Sequence, residues 1–168
     1  DVTNTVGGVM ADLSANGVPT KFIDAVSGVF VHTDADVDAP ALTGFNSRGI
    51  SINDKLIIGS MSNKDDLSEL AWTMTHEVYH AADYAYGLSD SDDQLSIRVD
   101  EEAKEPSVVM GDIMTEIFDN WENGTPMGKR FDYPFNDLQE DINDLQLDNA
   151  KVNDRYRQEV FAQLGALF

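Results

Sequence analysis

Two of the three histidines in this 168-residue chain stand four residues apart in the stretch MTHEVYHAADYAYG, Met74 to Gly87, with a glutamate directly after the first. Side chains at i and i+4 of a helix lie one turn apart on the same face, so His76 and His80 can each offer an imidazole nitrogen to one metal ion. Glu77 sits about 100° around such a helix from His76, too far to share the ion directly but able to reach water bound to it. This is the HExxH pattern, with two ligands and one general base. A bland alternative makes the histidines surface residues bonded to nearby acids and Glu77 an ordinary helix former.

Catalytic zinc takes three protein ligands and keeps a fourth position open, so a third ligand must come from elsewhere in the chain. The chain has no cysteine, which leaves His, Asp and Glu as the strong ligands. Asp83 falls about 10 Å along the helix axis from His76, too distant to ligate with both histidines and better read as a carboxylate anchoring the helix. Glu101 and Glu102 fall in a polar stretch, where ligands are imprecisely held. Glu116, in GDIMTEIFDNW, falls on a second amphipathic pattern, and a rigid helix presenting a carboxylate is the more convincing source.

HEVYHAADYAYG followed by DIMTEIFDNW resembles the anthrax lethal factor family of zinc peptidases, a gluzincin branch. The resemblance covers about residues 42 to 144. It rests mostly on the first motif, with the AAD segment, the Glu116-Ile117-Phe118 sequence and PMGKRFDYPFNDLQEDI adding to it. It implies His76, His80 and Glu116 as Zn2+ ligands, Glu77 as general base, and endopeptide hydrolysis by a zinc-activated water without a covalent intermediate. The family commonly places a tyrosine shortly before the ligand glutamate, where this chain has Val109 or Met110. Tyr79, Tyr84, Tyr86 and Tyr133 are the phenols left to substitute for it, and each is more simply a half-buried packing residue.

The element that must position this chemistry is a helix starting near Ser62, with Leu67, Leu70, Ala71, Met74, Val78, Ala82 and Ala85 at three- and four-residue spacing. Ser62 is its expected cap, Asp65 and Asp66 complement the positive end of the dipole, and Gly87 suits the exit. Before it come helical pieces at Val6 to Leu13 and Thr20 to Val26, then strand candidates GVFVH, GISIN and KLIIG. Gly49 to Asn53 is read as an edge strand to which an extended substrate could add. After it, a polar loop is expected from Leu88 to about Glu105. A helix then runs from Pro106 or Ser107 to Trp121 with Val109, Ile113, Ile117 and Trp121 on one stripe, and a final helix starts near Asn153. DADVD, Asp34 to Asp38, lacks the glycine and glutamate of a calcium loop and reads as solvated. His32 reads as structural.

The fold class expected is α+β, one zincin-like domain over residues 1 to 168, with a small twisted mixed sheet over the HExxH helix and a mostly helical C-terminal half. A net charge of -20 and a pI near 4.1 argue against nucleic-acid binding. No apolar run approaches the roughly 18 residues of a membrane span. The expected partner is an extended peptide or protein substrate. The start at Asp1 suggests a soluble product secreted or released from a longer precursor, and leaves localisation and oligomeric state open. The rival from another class is a non-catalytic acidic interaction protein or nucleic-acid mimic with a vestigial or structural metal site.

Overall fold

The computed structural model describes residues 2–33, 40–89, 95–99, 108–143 and 149–167. The class is α+β, with seven helices, a three-stranded mixed sheet and a two-stranded sheet among the described residues. The chain divides into two compact units, Asp1–Gly87 with Gly165–Phe168, and Leu88–Leu164.

In the first unit, helix α1 (Val2–Ala15) and the single turn α2 (Thr20–Ile23) precede strands β1 (Gly28–His32), β2 (Ala41–Thr43) and β3 (Gly49–Asn53). β3 is the central strand, parallel to β1 and antiparallel to β2. It is therefore not the edge that its sequence suggested; among the described residues the edges are β1 and β2. The reason is visible in the side chains. Ile50 and Ile52 are both fully buried, as befits a strand flanked on both sides, whereas Leu42 and Phe30 are exposed on the strands beside it.

KLIIG is not a strand but most of helix α3 (Asp54–Ser60). A short apolar run fits either structure, and here Asn53 decides it: this last residue of β3 accepts the Lys55 N–H at 3.0 Å through its side chain and starts a helix. Ile57 then faces the core while Ile58 faces solvent. Helix α4 (Lys64–Tyr86) follows, capped by Asn63 rather than Ser62, since the Asn63 side chain accepts the Asp65 N–H at 3.0 Å. Gly87 closes it in the left-handed region (φ 61°), donating to the Asp83 carbonyl at 2.7 Å. Leu70, Met74, Val78 and Ala82 are completely buried, and α4 packs against α1, α2, α3, β2 and β3.

The second unit opens with a hairpin where a loop and a helix start were expected. β4 (Ile97–Val99) pairs antiparallel with β5 (Val108–Met110), so the β-branched residues Ile97, Val99, Val108 and Val109 take the strand they prefer. Helix α5 (Asp112–Glu122) begins only after Gly111, whose N–H is tied to the Ser96 carbonyl at 3.1 Å. Its buried stripe is Met114 and Ile117, and Ile113 is exposed. A 3-10 turn (Gly128–Phe131), α6 (Asp132–Asn143) and α7 (Asn149–Leu167) complete the chain, α7 starting four residues earlier than the periodicity indicated. Phe118, Trp121, Phe131 and Phe135 form one aromatic cluster, with Phe118 edge-on to Phe135 and Trp121 stacked on it, and the Trp121 indole donates to Asp132 at 3.0 Å.

Candidate metal centre

The four-residue spacing of α4 builds a ladder of rings on one face. Trp72 lies against His76 (centroids 5.7 Å apart), His76 meets His80 edge to face (4.6 Å), and His80 stacks on Tyr84 (5.9 Å). Phe45, exposed in the turn between β2 and β3, closes the row edge-on against Tyr84 (5.0 Å). The rings hold both imidazoles in fixed orientations. Their Nε2 atoms converge to 3.0 Å, and both residues are buried, at 9% and 5% exposure.

Glu77 is buried beside them, at 6% exposure. Its Oε2 accepts a hydrogen bond from the Thr43 hydroxyl of β2 at 2.6 Å, the length expected for a hydroxyl donating to a carboxylate. The same hydroxyl lies 3.1 Å from the Glu77 carbonyl oxygen. A buried carboxylate with an engaged oxygen is held in one rotamer, and its position one residue on from His76 sends it to a different face of the helix from the imidazole pair.

Two nitrogens at ~2.0–2.1 Å from one zinc and at the tetrahedral angle stand about 3.3 Å apart. The observed 3.0 Å separation differs from this by a few tenths of an ångström, so the donor pair fits a tetrahedral ion. The same separation accommodates a proton shared between the rings when no ion is held.

Glu116 is exposed on α5, its carbonyl oxygen accepting from the Asn120 side chain at 2.9 Å. Asp83 is buried in the last turns of α4. Glu101, Glu102 and the DADVD segment lie outside the described residues. Of the phenols, Tyr84 stacks on an imidazole of the pair. Tyr79 packs on Phe22 (5.2 Å), and burial raises its pKa above the ordinary phenol value. Tyr86 is exposed and donates to the Lys21 carbonyl at 3.3 Å. Tyr133, in the second unit, is raised first by burial and then by the charge of Glu159.

Sequence reasoning missed Trp72, Tyr84 as a ring partner, and Thr43. The first two were legible as the 72, 76, 80, 84 series on one helical face. Trp72 also brings an indole N–H that is buried with no acceptor among the described residues. Thr43 carries no local signal, because its link to Glu77 spans 34 residues and depends on strand order.

No family model matches the chain, and neither the curated proteins nor the solved structures include a significant match to it.

Proposed function

We propose that the chain is a zinc-dependent endopeptidase with a zincin-like arrangement, in which His76, His80 and Glu116 hold Zn2+ and Glu77 moves the proton. The observation that carries this reading is the buried imidazole pair on α4, with Nε2 atoms 3.0 Å apart and a buried, hydrogen-bonded carboxylate on the residue between them in the motif. Zinc, when bound, supplies Lewis acidity that polarises a carbonyl and acidifies water. Glu77 accepts the proton of the attacking water and returns it to the departing amine. Tyr84, stacked on His80, restrains that ligand's ring. An extended peptide adds to the open edge of β2 through backbone hydrogen bonds.

The third ligand has competitors in Glu101 and Glu102, which lie outside the described residues. Metal content of Glu116→Ala, Glu101→Ala and Glu102→Ala separates them, because removal of a true ligand lowers zinc occupancy while removal of the others leaves it unchanged.

The function itself is tested with a quenched peptide library. Cleavage by wild type, its abolition by a chelator, and a loss of about 10²–10⁴-fold in Glu77→Gln with zinc retained are the expected results. Zinc retained without any cleavage in wild type would move the site to a structural role.

A further inference from the structure

We propose that Thr43 is a positioning residue that couples the docking of an extended substrate to the carboxylate of Glu77, an inference that rests on the peptidase reading above. Thr43 ends β2, where two features meet. Its hydroxyl donates to Glu77 Oε2 at 2.6 Å, which leaves Oε1 as the oxygen for a water. Its backbone faces the other way, as the ladder of β2 with β3 shows. The bonds Gly44 N–H to Gly49 O and Asn53 N–H to Pro40 O, both 3.0 Å, place residues 40, 42 and 44 on the hydrogen-bonded rungs. The residues between them, Ala41 and Thr43, therefore turn their N–H and C=O groups to the open edge of the sheet.

One residue thus offers its backbone to an incoming strand and its side chain to the base. Substrate pairing on that edge fixes the Thr43 backbone, and the hydroxyl passes the constraint to Glu77. Among the described residues no other side chain of β2 reaches Glu77: Ala41 has no polar group and Leu42 is exposed on the opposite face.

The geometry separates the two functions of Thr43, because Thr43→Val removes the hydroxyl, keeps the shape and leaves the backbone edge intact. With the fluorogenic peptide that the wild type cleaves, kcat is expected to fall about tenfold or more with KM within about twofold. Thr43→Ser is expected to recover most of kcat, and zinc content should be the same in all three proteins. Should Thr43→Val fail to fold, Thr43→Ala must show the same split. Unchanged kcat in the hydroxyl-free variant, an equal loss in Thr43→Ser, or a rise in KM alone overturns the inference and leaves the peptidase reading standing. A wild type that cleaves nothing overturns both.

Discussion

Five side chains of the first unit restrain one another in two adjoining sets: Tyr84 stacks on His80 and His80 meets His76, while Thr43 bonds Glu77, the residue after His76. Each restraint has a physical consequence, since an imidazole or carboxylate already in its working rotamer loses little entropy when it engages an ion or a substrate. In the second unit the phenol of Tyr156 is buried and donates to Asp141, and burial first, then that hydrogen bond, raises its pKa well above the ordinary value near 10. The folded chain then keeps a proton that the unfolded chain releases, so stability is full below pH 10 and falls as pH rises beyond it. Tyr156→Phe should cost about 1 kcal/mol at pH 7 through the lost hydrogen bond and should flatten the alkaline fall. Urea midpoints of both proteins at pH 7 and pH 10.5 check this; parallel falls would contradict it.

At the level of elements, what the chain discloses locally and what it withholds are separated by range. The α4 helix, its acidic first turn and its Gly87 exit were legible because their signals repeat within one turn. So was the four-residue spacing that puts His76 and His80 together. KLIIG was not, because a short run with three apolar residues satisfies a strand and a helix alike and the deciding cap, Asn53, belongs to the preceding strand. Strand order was not legible either: β3 pairs with β1 in parallel and with β2 in a hairpin, and pairing partners leave no mark on a single strand's pattern. Thr43 was missed for that reason, and the start of α5 because Val109 extends the apolar stripe of Ile113, Ile117 and Trp121 while pairing as a strand. Close backbone approach gives an element-scale prediction. A Cβ at Gly128 would stand 2.1 Å from the Asn120 carbonyl oxygen, a backbone atom with no rotamer to escape into. Gly128→Ala should therefore destabilise the junction of α5 and the 3-10 turn by about 1–3 kcal/mol, read from the shift in urea midpoint, and an unchanged midpoint would contradict the close approach.

Across the whole molecule the dominant fact is charge. Thirty-one acidic residues against eleven basic ones leave a net charge of -20, and a compact state must hold that charge together. Salt shortens the Debye length from about 30 Å at 0.01 M to about 8 Å at 0.15 M, so self-repulsion weakens as salt is added. The melting temperature should rise between 10 and 150 mM NaCl, as followed by calorimetry; a flat or falling curve would show that local ion pairs already neutralise the repulsion. The same charge explains why composition could disfavour nucleic acid but could not locate a site. The proposed site depends instead on two buried imidazoles and one buried carboxyl group on α4.

The most direct measurement is zinc content by elemental analysis on protein prepared in metal-free buffer and then offered the ion, comparing wild type with His76→Ala/His80→Ala. One zinc per wild-type chain, and none in the double variant, is the expected result. A wild type that takes up no zinc, or a double variant that holds as much, would contradict the proposal that the imidazole pair of α4 is a metal centre.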